Sequence, residues 1–283
     1  MQTITIIGAG TMGRGIAQSA ALAGYQIILY DVADDLLASA LGRIEASIDK
    51  GVQLGKTPAA AADRARQAFH LTTSLAEAAA ADLVIEAAPE KLDLKRQLFA
   101  TLDAAAPPPT ILASNTSSLS INALAGATGR PDRFLGLHFF NPAHIMKLVE
   151  VIRGDFTAAA TLAAAVDFVR SLDKTPVLCR DTPAFIVNRV ARPFYGEAFR
   201  LLGEAAADAA TLDQLVKSLG FRMGPFELID LIGCDVNLAV TQSVYDAYFQ
   251  DPKYRPHPIQ KRMVESGRLG RKSGRGFYNY TEA

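Results

Sequence analysis

The sequence predicts a doubly wound, mostly parallel α/β sheet in residues 1–182, followed by an all-helical domain in residues 183–283. Three observations support this prediction. Short apolar runs alternate with amphipathic helical segments up to about residue 180. A glycine-rich turn separates the first apolar run from the first helical segment. Beyond Asp181-Thr182-Pro183 every segment has helical periodicity, and several segments end at glycine, as helices commonly do.

The amino-terminal stretch has the pattern of a dinucleotide-binding site. Residues 3–7 read T-I-T-I-I and are followed at once by Gly8-Ala9-Gly10-Thr11-Met12-Gly13 and a helical segment. A second apolar run, residues 26–30, ends in Asp31. A glycine-rich surface turn is the alternative explanation, but here the strand, the helix and the acid all fall where a Rossmann-type motif requires them.

Each part of this motif has a physical role. Gly8 permits a tight turn, Gly10 lets the backbone approach a pyrophosphate, and Gly13 lets the helix pack against the strand. The helix N-terminus then offers free N–H groups to the phosphates. We expect Asp31 to accept hydrogen bonds from the adenosine ribose. Because Val32 and Ala33 follow, with no nearby arginine to hold a 2′-phosphate, the motif favours NAD over NADP.

Composition excludes several function classes. The chain has 29 basic and 29 acidic residues, so nothing indicates a nucleic-acid partner. The longest charge-free stretch, residues 104–129, is rich in Pro, Ser, Thr and Asn and cannot be a membrane helix. The first strand begins at residue 3, which leaves no room for a signal peptide. The two cysteines match no metal or redox spacing, so we expect no metal and a cytoplasmic protein.

The remaining elements follow from periodicity. Two alanine-rich segments, residues 34–50 and 58–69, predict a helical hairpin inserted into the α/β alternation. Five further strands are predicted after it, at residues 83–87, 110–113, 133–138, 148–152 and 176–179. In the second domain we expect the first helix to begin at Pro183, with Thr182 as its N-cap.

Polar residues that end these strands are the candidates for chemistry, because ligands bind beyond the carboxyl ends of parallel strands. They are Glu90 and Lys95 after one strand, Ser114 to Ser118 after the next, and His138 after a third. His138 alone could be an ordinary core histidine. However, Glu150 lies among apolar neighbours on the following strand, and a buried acid needs a partner. A base oriented by an acid is what removal of a hydride from an alcohol requires.

Motifs along nearly the whole chain resemble those of the L-3-hydroxyacyl-CoA dehydrogenases, in particular the short bacterial 3-hydroxybutyryl-CoA type. They occur in the family's order. Besides the glycine loop, they are Ala113-Ser114-Asn115-Thr116-Ser117-Ser118, His138-Phe139-Phe140-Asn141-Pro142, Met146-Lys147-Leu148-Val149-Glu150, Asp181-Thr182-Pro183-Ala184-Phe185-Ile186-Val187-Asn188-Arg189, Met223-Gly224-Pro225-Phe226-Glu227 and the tail from Leu269 to Tyr278.

The resemblance implies catalytic roles at matching positions. His138 is the catalytic base, paired with Glu150. Ser117 and Asn188 hydrogen-bond the 3-oxygen of the substrate and position it. The implied reaction is the NAD-dependent interconversion of an L-3-hydroxyacyl-CoA and a 3-ketoacyl-CoA, with the helical domain forming a homodimer.

The resemblance also implies binding residues. Glu90 and Lys95 match contacts to the ribose and nicotinamide region of NAD, and we place Asn115 and Ser117 at the same cofactor edge. Coenzyme A contacts are expected in the inserted hairpin, where the candidates are Ser47, Lys50 and Lys56. A solvated helix face is an equally good explanation for those three residues.

Two other functions stay open from the sequence. A related dehydrogenase could use the same fold and the His138–Glu150 pair on a small hydroxy acid or sugar acid without coenzyme A. A non-catalytic protein of the crystallin type could also be built on this fold, although the set Ser117, His138, Glu150 and Asn188 argues against it. The sequence does not fix the length of the acyl chain.

Overall fold

A computed structural model describes residues 1–281 of the chain. The chain divides into two compact units, Met1–Thr182 and Pro183–Ala283. Among the described residues, no helix is both long and apolar enough to cross a membrane.

The first unit contains one eight-stranded sheet with the order β3-β2-β1-β4-β5-β6-β7-β8. Neighbouring strands are parallel except for β6 and β7, which are antiparallel. The sheet is therefore mostly parallel, as the sequence predicts. The strands are β1 Thr3–Ile7, β2 Gln26–Tyr30, β3 Phe69–Thr72, β4 Leu83–Glu86, β5 Ile111–Ser114, β6 Phe134–Phe139, β7 Leu148–Arg153 and β8 Thr175–Arg180.

Seven helices connect and cover these strands. They are α1 Thr11–Leu22, α2 Asp34–Gln53, α3 Ala59–Arg66, α4 Leu75–Ala78, α5 Leu92–Ala105, α6 Ile121–Ala125 and α7 Ala159–Ser171. An apolar core lies between one face of the sheet and α1, α2, α3 and α7, and it includes Ile6, Ile16 and Leu137. On the other face, Phe99 of α5 packs against Phe134 of β6 with ring centroids 4.7 Å apart. Burial of both faces explains why the strands read as apolar runs rather than as alternating patterns.

The inserted hairpin is present as α2 and α3, but its second helix is shorter than predicted. The sequence prediction extended that helix to Phe69, which is wrong, because α3 ends at Arg66 and Phe69 begins β3. This edge strand pairs only with β2. Its four residues, F-H-L-T, are too few to show an alternating pattern, so pairing with β2 rather than local preference decides their conformation.

The second unit is helical, as predicted, and contains α8 Val187–Gly203, α9 Ala209–Ser218, α10 Pro225–Ile232, α11 Cys234–Ala247 and α12 Pro258–Glu265. The prediction that its first helix begins at Pro183 is wrong. Ala184 and Phe185 have φ values of 64° and 53°, in the left-handed region, so residues 183–186 form a turn and α8 starts at Val187. Asn188 is consequently the second residue of the helix.

Two buried carboxylates attach the carboxyl-terminal tail to α9 and α10. Asp230 accepts hydrogen bonds from the backbone N–H groups of Phe277 and Tyr278, at 3.0 Å each. Asp213, on α9, accepts a hydrogen bond from the Tyr278 hydroxyl at 2.7 Å. It also accepts one at 2.9 Å from the N–H of Phe226, which lies in the first turn of α10. These bonds hold the glycine-rich tail, which includes a 3₁₀ turn at Arg271–Ser273, against α9 and α10.

Candidate active site

The glycine loop between β1 and α1 forms a cradle with no room for side chains at Gly8 and Gly13. A Cβ atom on Gly13 would lie 1.8 Å from the Gly8 carbonyl oxygen, and one on Gly8 would lie 2.8 Å from the Ala87 oxygen. Gly8 also has a φ of +101°. By contrast, a Cβ on Gly10 would meet nothing within 4 Å, so open space lies above the loop. This geometry fits a pyrophosphate at the N-terminus of α1.

Asp31, which follows β2, holds the loop in place. Its Oδ2 accepts from the Ala9 N–H at 2.7 Å, and its Oδ1 accepts from the Val32 N–H at 2.7 Å. Each carboxylate oxygen can accept a further bond. Asp31 also lines a cavity of about 760 Å³ with Gly10, Thr11 and Met12, bounded by residues 87–89 and one face of α5. An adenosine group fits the size and the apolar lining of this cavity.

Lys95 joins two glutamates below the cofactor edge. Its side chain is only 1% exposed, and its ammonium lies 2.8 Å from Glu86 Oε1 and 2.8 Å from Glu90 Oε2. Burial raises the pKa of Glu86, although Lys95 and a 2.6 Å bond from the Ser114 hydroxyl oppose the change. Burial acts on Glu90 in the same direction, but Lys95 and the hydroxyl of Thr116 outweigh it and hold the pKa of Glu90 below its usual range.

Glu90 in turn positions the polar loop after β5. Its Oε1 accepts from the Thr116 hydroxyl at 2.5 Å and from the Ser117 N–H at 2.9 Å. Thr116 is completely buried. Sequence reasoning recognised the loop but missed the roles of Glu86 and Thr116, because their importance depends on side chains that meet across three elements. Asn115 uses its side-chain oxygen to accept from the Phe139 N–H at 2.9 Å, beside His138.

His138 and Glu150 form a buried pair. They lie directly opposite each other in the antiparallel ladder of β6 and β7. His138 Nδ1 is 2.6 Å from Glu150 Oε2, and the two side chains are 8% and 0% exposed. An ionised carboxylate can only accept, so the neutral imidazole carries its proton on Nδ1, and Nε2 is the unprotonated nitrogen. The Phe140 ring packs against the imidazole at a centroid distance of 4.4 Å.

The three hairpin candidates line one groove in the first unit. Ser47, Lys50 and Lys56 border a cavity of about 760 Å³, together with Lys147 and Lys174. Asp173 is the only acidic side chain among the described residues of that lining, and it is ion-paired with Lys147. The groove is therefore positively charged. A second, smaller cavity of about 180 Å³ is bordered by Thr11 and by Ser47.

Lys174 fixes the loop that forms one wall of this groove. Its ammonium donates to the carbonyl oxygens of Ala143 and Met146 at 2.6 and 2.8 Å. On the other side of the loop, a Cβ on Gly15 would come within 2.9 Å of the Ala143 Cβ. Burial, reinforced by the neighbouring Lys147, lowers the pKa of Lys174 to about 8.

The first unit thus brings the glycine loop, Asp31, Glu90, Ser117 and His138 to the same edge of the sheet, at the carboxyl ends of β1, β2, β4, β5 and β6. Asn188 lies in the second unit, in the first turn of α8. The nucleotide cradle and His138 lie at this edge. Because a buried carboxylate fixes its tautomer, the histidine can remove a proton from an alcohol held there.

Two family models together match almost the entire chain. The 3-hydroxyacyl-CoA dehydrogenase NAD-binding domain matches residues 3–182, and the C-terminal domain of the same family matches residues 185–280. The described fold is similar to the crystal structure of (S)-3-hydroxybutyryl-CoA dehydrogenase PaaH1 from Ralstonia eutropha, with a TM-score of 0.95 and 41% identity over 99% of both chains.

Curated relatives agree with these matches. A 3-hydroxyadipyl-CoA dehydrogenase of Escherichia coli is 48% identical over 99% of this chain, which spans 59% of that protein's length. A 3-hydroxybutyryl-CoA dehydrogenase of Bradyrhizobium diazoefficiens is 43% identical over 100% of this chain and 97% of its own. The cradle, the His–Glu pair and these matches lead to one conclusion: the chain belongs to the 3-hydroxyacyl-CoA dehydrogenase family and carries its NAD-binding domain.

Proposed function

We propose that this protein catalyses the reversible, NAD-dependent oxidation of an L-3-hydroxyacyl-CoA to the 3-ketoacyl-CoA. The observation that supports it most directly is the 2.6 Å contact between His138 Nδ1 and Glu150 Oε2, both buried, at the edge where the glycine loop lies. Membership of the family makes the same reaction the expected one.

His138 acts as the general base. Its Nε2 takes the proton of the 3-hydroxyl group, and the Glu150 carboxylate stabilises the resulting imidazolium through Nδ1. When bound, NAD accepts the hydride from C3. In the opposite direction the imidazolium returns its proton to the forming alcohol, so one histidine serves both directions.

Ser117 and Asn188 hold the 3-oxygen of the substrate. Glu90 supports this role for Ser117, since it fixes the Ser117 N–H at 2.9 Å. Replacing Asn188 by alanine should lower turnover per folded molecule without weakening NAD binding, because it removes a substrate hydrogen bond and leaves the glycine loop intact. A variant with reduced thermal stability and unchanged turnover would instead assign Asn188 to helix packing.

We assign the coenzyme A moiety to the groove bordered by Ser47, Lys50 and Lys56. Its lysines suit phosphate groups, and its one described acid is neutralised by Lys147. This charge favours an acyl-CoA over a small hydroxy acid or sugar acid. We also assign Glu90, Lys95 and Asn115 to the cofactor edge. Lys95 acts there through its ion pair with Glu90.

One assay tests the proposal. The oxidation of NADH is followed with acetoacetyl-CoA and, in parallel, with free acetoacetate. We expect rapid turnover of the thioester and little of the free acid. Equal turnover of both would favour the small-acid dehydrogenase, and no turnover of any hydroxy or keto substrate, with NAD still bound, would favour a non-catalytic protein.

We further propose that the protein is a cytoplasmic homodimer formed through its helical domain. Large apolar side chains on α9 and α10 and on the segment between them are about half exposed or more, including Leu215, Leu219, Phe221 and Leu231. A patch of this kind is typical of a protein–protein interface. Light scattering should give a dimer at micromolar concentration, and Leu219→Glu should shift it towards the monomer. A monomeric wild type would contradict the assignment.

A further inference from the structure

A small cavity in the first unit adjoins both the lysine-bordered groove and the edge of the sheet where the chemistry takes place. Its volume is about 180 Å³, room for about a dozen water molecules and therefore enough for a pyrophosphate group. Three of its described lining residues, Gln18, Ser47 and His144, also border the groove, and one borders the cavity that fits adenosine. It also reaches Asn141, which follows β6 and His138 closely in the chain. The cavity thus lies on a path from the groove to the reacting edge.

Two arginines on neighbouring helices make this cavity positively charged, and we call it the arginine cavity. Arg14 lies on α1, and Arg43 lies on α2, which packs against α1. Among residues 1–281, no acidic side chain borders the cavity and neither arginine forms an ion pair. Burial lowers the pKa of Arg14, and the charge of Arg43 lowers it further. The two like charges therefore repel each other and lack a carboxylate partner in the described chain.

The protein makes only weak use of the hydrogen-bond donors of Arg14. The side chain is half-buried, and its Nη1 lies 3.4 Å from the Ala9 carbonyl oxygen while its Nη2 lies 3.5 Å from the Thr11 hydroxyl oxygen. Both distances exceed the usual range of about 2.7–3.2 Å. A guanidinium has five N–H donors in a fork that matches the oxygens of a phosphate. A phosphate in the cavity would take up these donors and remove the repulsion between the two arginines.

We propose that Arg14 and Arg43 bind the pyrophosphate of the coenzyme A thioester. This inference rests on the proposed function. Coenzyme A carries, in order from the thioester, an uncharged pantetheine arm, a pyrophosphate and an adenosine with a 3′-phosphate. The first unit offers matching sites in the same order, namely the edge with His138, the arginine cavity and the lysine-bordered groove. The pyrophosphate of NAD has its own place at the glycine loop.

Three thioesters that differ only beyond the pantetheine arm provide the test. Acetoacetyl-CoA carries the pyrophosphate and the 3′-phosphate, acetoacetyl-dephospho-CoA carries only the pyrophosphate, and acetoacetyl-pantetheine carries neither. Arg14→Met should lower kcat/KM for the first two by about 10- to 100-fold, the range of a hydrogen bond to a charged group, mainly by raising KM. It should leave kcat/KM for acetoacetyl-pantetheine and the Kd of NADH near the wild-type values. Arg43→Met should act in the same direction but more weakly, because Arg43 is exposed and its charge is screened.

The control is Arg96→Met, which removes an exposed arginine of α5 that borders neither the cavity nor the groove and should change none of these quantities. A higher Kd of NADH in Arg14→Met would place the pyrophosphate of NAD in the cavity and overturn the proposal. A loss confined to acetoacetyl-CoA would place the 3′-phosphate there and overturn it too. Equal losses on all three thioesters, together with a lower melting temperature, would show that Arg14 only supports the fold.

Calorimetric titration with coenzyme A and with dephospho-CoA gives a readout that needs no turnover. We expect Arg14→Met to bind both about 10- to 100-fold more weakly than the wild type does. Unchanged affinity for both would overturn the assignment of the cavity. Weaker binding of both by a protein whose wild type turns over none of the thioesters would refute the proposed function and still support the arginine cavity as a pyrophosphate site.

Discussion

Glu150→Gln isolates the contribution of one buried charge to catalysis. Glutamine keeps the shape of the side chain but replaces the carboxylate that lies 2.6 Å from His138 Nδ1. Hydrogen bonds to charged groups contribute about 1.5–3 kcal/mol, which corresponds to roughly 10- to 150-fold in rate if the imidazolium is stabilised by that amount.

A second effect enlarges the loss. The amide of glutamine can donate to Nδ1, which then carries no proton, and the proton moves to Nε2, where it blocks the base. In a comparable His–carboxylate arrangement of another enzyme, fixing the wrong tautomer lowered kcat about 10⁴-fold. We therefore expect kcat to fall by about 10²–10⁴-fold, while NAD affinity stays near the wild-type value because the glycine loop is untouched.

The assay is NADH oxidation with saturating acetoacetyl-CoA, combined with an NADH titration and a thermal melt of the same preparation. Glu77→Gln is the matched control, because Glu77 forms an exposed pair with His70 at 3.3 Å in the same unit. The double variant His138→Gln/Glu150→Gln should be no slower than His138→Gln alone, since both residues serve one proton transfer. A Glu150→Gln enzyme that keeps a third or more of the wild-type kcat would show that the carboxylate contributes little to the proton transfer.

Three further outcomes are expected. Asp31→Ser with Val32→Arg should sharply reduce the preference for NADH over NADPH; a wild type that already uses both equally would contradict the role of Asp31. Gly13→Ala should abolish NAD binding or folding, because its Cβ would lie 1.8 Å from a carbonyl oxygen, whereas Gly42→Ala, with nothing within 4 Å, should be neutral or stabilising by melting temperature. Since the pKa of Lys174 is lowered to about 8, the fold binds fewer protons than the unfolded chain above that pH. The contribution of Lys174 to the free energy of unfolding should therefore rise from pH 8 towards 10.5. The free energy of unfolding of Lys174→Met, measured with urea, should lack that rise.

Local sequence pattern was enough to predict several parts of this protein. β1, the glycine loop, α1 and the acid after β2 were predicted within a residue or so, because a strand, a turn and a helix in direct succession have strong local signals. The His138–Glu150 pair was also predictable, since an acid inside an apolar strand requires a partner and the neighbouring strand offers one. The change to an all-helical unit after residue 182 followed from periodicity alone.

Other features depend on partners that are distant in sequence, and these emerge with the fold. β3 is a strand because it pairs with the edge of β2, whereas its four residues are too few to show an alternating pattern. α8 begins at Val187 rather than Pro183 because residues 184 and 185 adopt left-handed conformations that no local propensity predicts for alanine and phenylalanine. The chain of contacts from Glu86 through Lys95 and Glu90 to Ser117 joins residues up to 31 positions apart, and the burial of Lys95 is visible only in the folded structure. Burial and long-range pairing set the energies of charged groups, and neither is a property of a short stretch of sequence.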